Sequence, residues 1–163
     1  MTARGAGAME LTSSTFQNNE LMPTATASDR CGGDNMSPDL QWRDIPDTAR
    51  SLALVVHDPD APRDGGFYHW IVVDIPPTII EIAAGGGFAR PAREIATADG
   101  MLAGYMGPCP PVGHGAHHYN FTLYALYVDK IDLDPDMTPV EIEAAIRDRS
   151  IGLATLTGLY ERK

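Results

Sequence analysis

The run Ser51–Asp58, SLALVVHD, constrains this chain more than any other stretch. Written in the two-residue period of a strand, it puts Leu52, Leu54 and Val56 on one face and Ala53, Val55 and His57 on the other. Both faces are apolar enough to be buried, so the strand belongs at the centre of a sheet that is covered on both sides. Phe67–Ile75, FYHWIVVDI, repeats the pattern, with His69, Ile71, Val73 and Ile75 expected on one face until Pro76-Pro77 ends pairing. Tyr119–Val128, YNFTLYALYV, is a third long strand, rich in aromatic residues. Leu11–Phe16 predicts a short first strand, the chain from Ser150 onward is β-like, and Glu81–Gly100 has no sustained period and reads as loop. One helix is marked by Thr138 as N-cap, Pro139 at the first helical position and Glu141 as the acid of a capping box. Val140, Ala144 and Ile151 lie near one stripe of it, Ile142 and Ile146 near another. With strands dominant and no strand–helix–strand repeat, the expected fold is mainly β: a sandwich of two antiparallel sheets with a few peripheral helices.

A chain of 163 residues, 44% hydrophobic, suits one domain, expected over residues 10–163 behind a flexible extension of residues 1–9. Lys+Arg 12 against Asp+Glu 22 gives a net charge of −10, which argues against nucleic acid or an anionic membrane surface as partner, so any anion site has to be local. No apolar run approaches the roughly 20 residues of a membrane span. The opening MTARGAGAME lacks the apolar core of a secretory signal, so a cytoplasmic location is expected, and with it free thiols at Cys31 and Cys109. The apolar and aromatic content suggests a homodimer.

The chemistry concentrates around HDPDAPRDGGFYHWIVV, His57–Val73. If the flanking strands are antiparallel neighbours, their connection brings Asp58, Asp60 and His69 to one sheet edge. His117 and Tyr119, two apart, share a strand face. Gly104–Gly115, GYMGPCPPVGHG, is a stiff glycine- and proline-rich loop whose N–H groups could cradle an anion. Each feature also has a plain reading. Asp-Pro-Asp-Ala-Pro alone is a turn, with Ala61–Pro62 a candidate cis peptide, and His69 alone is a satisfied core residue. A metal held by His114, His117 and His118 with Asp58 or Asp60 is disfavoured because adjacent His117 and His118 face opposite ways. Cys109 near His117 could be a nucleophile or a small apolar side chain. No phosphate-loop or nucleophile-elbow motif occurs, and no cofactor is implied.

Five blocks in order, SPDLQW (Ser37–Trp42), DPDAP (Asp58–Pro62), HWIVVDIP (His69–Pro76), GYMGPCPP (Gly104–Pro111) and HHYNFTLYAL (His117–Leu126), resemble the phosphatidylethanolamine-binding protein family. The form is similar to its bacterial and archaeal branch, the Raf kinase inhibitor-like proteins, from about Glu10 to Arg162. The resemblance implies a β-sandwich with a small pocket for phosphate, acetate or a phosphoethanolamine head group. By motif, its walls would be Asp58, Asp60, Pro62, His69, Gly107, Pro108, Pro111, His117 and Tyr119. Two departures stand out. His117-His118-Tyr119 replaces the family's usual His-Arg-Tyr, and the chain stops soon after Tyr160, where eukaryotic members carry a helix over the pocket, which implies a more open site. The expected function is non-catalytic binding of a small anion, with a kinase or protease as possible regulated partner. The alternatives are an enzyme of secondary metabolism using His117 and Asp58 as acid and base, and a pure interaction module. Phosphate or sulfate is expected on His69, His117 and backbone N–H groups from Gly107 onward. Binding should strengthen as histidines protonate near pH 6–7, with His117→Ala damaging and His114→Ala neutral.

Overall fold

Nine strands and one α-helix make up the described part of the chain, residues 8–97 and 103–163 of a computed structural model. The strands are β1 (Glu10–Thr12), β2 (Glu20–Leu21), β3 (Leu40–Arg43), β4 (Ser51–Asp58), β5 (Phe67–Ile75), β6 (Glu81–Ile82), β7 (Arg93–Ile95), β8 (His117–Leu126) and β9 (Ser150–Tyr160). The helix α1 spans Pro139–Asp148. β1, β3 and β6 form a small sheet; the large one runs β2-β9-β8-β4-β5-β7. The apolar run that promised a central strand is β4, held between β8 and β5. Its Leu52, Leu54 and Val56 pack between the two sheets with Leu40, Trp42, Phe121 and Leu123. Ala53 and Val55 lie on the other face with Ile142 and Ile146 of α1.

That helix has the capping box read from the sequence, the Thr138 side chain and Glu141 each bonding the other's backbone N–H. Only the Ile142–Ile146 stripe is buried; Val140 is exposed, and Ile151 belongs to β9. Every long pairing is antiparallel, but β2 runs parallel to β9, so the large sheet is mixed at that edge. The segment expected as loop contributes β6 and β7, short strands that close one edge of each sheet; its residues 98–100 lie outside the described residues. At the other end of the chain Met9 packs in the inter-sheet core. Residues 1–7 of the expected extension lie outside the described residues.

The strand period fails at two places in β5, and one of them makes the site. Val56 and His57 are consecutive on β4 but pair with Trp70 and Tyr68, leaving His69 as an extra residue on β5. Such a bulge re-aims a side chain. Here it leaves Tyr68 on the helix side and Trp70 in the inter-sheet core, although two residues apart would normally share a face. A second irregularity lies between the Leu52–Ile75 and Leu54–Val72 pairs, around Asp74 with φ 59°. The expected grouping of His69, Ile71, Val73 and Ile75 is therefore corrected. Ile71 and Val73 face the helix, Ile75 faces the small sheet, and His69 turns to the ring edge of Tyr119, with centroids 5.1 Å apart.

Candidate functional site

The C-terminal end of β4 lies beside the start of β8, His57 pairing with Asn120, and this register brings Asp58 to His117. His117 Nδ1–H donates to Asp58 Oδ2 at 2.7 Å, and both side chains are almost wholly buried. The Asp60 N–H donates to the second Asp58 oxygen at 2.8 Å, so Asp58 holds the turn after β4 as well as the ring. Gly66, at φ 69°, closes the connection into β5; a Cβ there would collide with the Asp58 carbonyl.

A cavity of about 350 Å³ opens at this end of the sandwich. Of the nine residues expected in its walls, Asp58, Pro62, His69, Gly107, Pro111, His117 and Tyr119 line it. Pro108 sits behind, against His69 and Tyr119 in a tight secondary crevice. Asp60 is turned away. It accepts from the backbone N–H of His118 at 2.8 Å and from its ring Nδ1–H at 2.7 Å on the exposed side of β8. Burial works against ionisation of Asp60, but these hydrogen bonds and the nearby imidazoles hold its carboxyl below the usual range.

His69 is shifted well away from the ordinary imidazole pKa. Its Nδ1–H donates to the Met106 carbonyl at 2.7 Å, and the Met106 N–H donates back to the His69 carbonyl at 2.9 Å. Burial disfavours the cation and pulls the imidazole pKa down to about 4, against the hydrogen bond to Met106 and the Asp58 charge, which both favour it. At neutral pH His69 is thus the Nδ1–H tautomer with a bare Nε2. Tyr119 contributes a buried hydroxyl with no hydrogen-bond partner among the described residues.

The loop carrying Gly107 is pinned from the side. Cys31 and Cys109 form a disulfide with Cα atoms 5.7 Å apart, within the normal span. The expectation of free thiols is overturned, because the fold lays the short 3₁₀ turn Asp29–Cys31 against the loop. Ser28 N–H donates to the Pro108 carbonyl, and a Cβ on Gly107 would strike the backbone of Thr26–Ser28. The Gly107 N–H donates to Asn35 Oδ1 at 2.7 Å. With prolines at 108, 110 and 111, Cys109 is the residue of the 107–111 segment whose backbone N–H is left to the expected anion cradle. The cis peptide lies at Arg90–Pro91 rather than at Ala61–Pro62.

Sequence reasoning missed Arg30 and Arg63, the cationic side chains of the cavity wall among the described residues. Arg63 stands 5.7 Å from the Phe67 ring centroid. Arg30 reaches the cavity only through the turn that the disulfide ties down, which local spacing does not reveal. His114, expected to be irrelevant, places Nδ1 2.6 Å from His117 Nε2. His118, facing outward to Asp60, cannot join them, and among the described residues no group of three or more candidate ligands could hold a metal ion.

The chain is thus a two-sheet β-sandwich whose cavity is built from strand ends and a proline-rich loop. The chain belongs to the phosphatidylethanolamine-binding protein family, whose profile matches residues 12–161. A UPF0098 protein of Pyrococcus abyssi is 41% identical over 170 residues, covering 100% of this chain and 92% of the relative. The crystal structure of Escherichia coli YbcL superposes with a TM-score of 0.88 at 32% identity, over 96% of this chain and 100% of that one. A Mycobacterium tuberculosis protein named as a putative lipoprotein, LppC, is 45% identical over 136 residues, 80% of this chain and 63% of its own length. Among the described residues no helix is long and apolar enough to cross a membrane.

Proposed function

We propose that this protein binds a small phospho head group that brings its own hydrogen-bond donor, either the remaining P–OH of a singly protonated phosphoryl group or the ammonium of an ethanolamine moiety. The observation that carries this is His69. Its Nδ1–H is committed to Met106 and burial keeps the ring neutral, so the nitrogen left for a ligand is an acceptor. A fully deprotonated oxyanion would set lone pairs against lone pairs there, close to the Asp58 carboxylate, at the cost of an unsatisfied buried group. Arg30 and Arg63 at the cavity wall suit the anionic oxygens, and the Tyr119 hydroxyl can donate to one of them. This replaces the expectation of a histidinium site, since a pKa of about 4 leaves His69 uncharged near pH 6–7. The disulfide favours an oxidising compartment over the cytoplasm expected from the leader, and the lipoprotein name of one relative fits that reading.

Calorimetric titrations with inorganic phosphate, O-phosphoethanolamine and sulfate at pH 6 test it. Near that pH a phosphate monoester is about half protonated, whereas sulfate carries no proton. Sulfate should bind at least about fivefold more weakly, the consequence of roughly 1–3 kcal/mol for an unmet acceptor. Phosphate affinity should fall about tenfold per pH unit above about 7 as its proton leaves. Persistence of phosphoethanolamine binding there would assign the donor role to the ammonium. Equal affinities for sulfate and phosphate would refute the proposal.

A further inference from the structure

His117 has two ring nitrogens and both are occupied. Nδ1 keeps its proton because its partner, the buried Asp58 carboxylate, only accepts. Nε2 is then the one ring atom through which His117 can meet a ligand, and it lies 2.6 Å from Nδ1 of His114. The rings are inclined by 61° with centroids 4.9 Å apart, an edge approach of nitrogen to nitrogen rather than a stack. A single hydrogen bridges such a pair, donated by either ring, and in both arrangements Nε2 has no capacity left.

We infer that His114 is a built-in competitor of the pocket, an exposed loop imidazole that occupies His117 Nε2 in the free protein and must leave it for an oxyanion to bind. The inference rests on the reading of the cavity as an anion site. His114 can leave at small cost, because it is exposed while His117 is buried. Gly113 and Gly115 on either side have φ of 75° and 84°, and the space around both is open. The turn itself is anchored independently, the Gly113 N–H donating to the Arg162 carbonyl at 2.8 Å, so the side chain can swing without the loop unfolding. A singly protonated phosphoryl group wins the exchange because its P–OH replaces the hydrogen that His114 shared with Nε2, while its anionic oxygens meet the cationic side chains of the cavity wall. A neutral ligand gains little over the imidazole it displaces, so His114 acts as a selectivity filter favouring anions.

Inorganic phosphate titrated at pH 6 into the wild type and into His114→Ala is the test. The variant should bind about three- to tenfold more tightly, the value of one neutral hydrogen bond no longer lost on binding. A second reading needs no ligand: the ring ¹⁵N signal of His117 Nε2 should move in ligand-free His114→Ala, which also shows that the variant is folded. Unchanged or weaker phosphate binding in the variant, with the wild type binding, would overturn the competitor role alone. Failure of both proteins to bind phosphate would overturn the anion-site reading and this inference with it.

Discussion

Two aspartate–histidine pairs on consecutive residues of β8 offer a controlled comparison of burial. His117–Asp58 and His118–Asp60 have the same N···O separation of 2.7 Å, but the side chains of the first pair are 2% and 4% exposed and those of the second 53% and 39%. Distance alone would make them equal. His117→Ala leaves a buried carboxylate with one remaining donor among the described residues, the Asp60 N–H, and a void where the ring was. Removing one partner of a buried pair costs about 3–5 kcal/mol. For a chain of this length that corresponds to a fall in Tm on the order of 6–20 °C. His118→Ala keeps the His118 backbone N–H on Asp60 and loses only a solvated contact, worth about 0–1 kcal/mol. Urea denaturation at pH 7 with the disulfide intact, read as a change in midpoint at constant m, measures both. Adding Asp58→Asn to His117→Ala should recover part of the loss if the stranded charge, rather than the void, dominates. Equal losses from the two single variants, or a loss below about 1 kcal/mol for His117→Ala, would refute the assignment of Asp58–His117 as the structural centre of the site.

Acid should expose His69. Its pKa of about 4 in the folded protein lies below the 6.5 of an ordinary imidazole, so the unfolded chain takes the proton first as pH falls. The stabilisation is complete above about pH 6.5 and is lost progressively toward pH 4, on the order of 3 kcal/mol. Urea midpoints across that range should fall with acid in the wild type and flatten in His69→Gln; parallel slopes would show that another group governs. The Cys31–Cys109 bond, with a sequence separation of 78, should contribute up to about 4 kcal/mol through the unfolded chain. Intact mass should rise by two hydrogens on reduction, with a matching fall in urea midpoint, whereas identical masses before and after reduction would contradict the pairing.

Much of the framework was legible because it is written in neighbours along the chain. The two dry faces of β4, the capped start of α1 and the shared face of His117 and Tyr119 all follow from periods of 2.0 and 3.6 residues and from local hydrogen bonding, which sequence records directly. The five ordered blocks carried the family and most of the cavity wall. What escaped depends on partners distant in sequence. His69 reaches the cavity only because β5 slips by one residue against β4, and its neutral state exists only once Met106 and the burial around it are in place. The meeting of Cys31 with Cys109, of Asn35 with the Gly107 N–H, and of β2 in parallel with β9 are likewise decided by how loops pack. His114 shows the division most sharply. Its spacing from His117 is visible in the sequence, but which ring nitrogen it covers is fixed only when Asp58, 59 positions away from His117, has claimed the other.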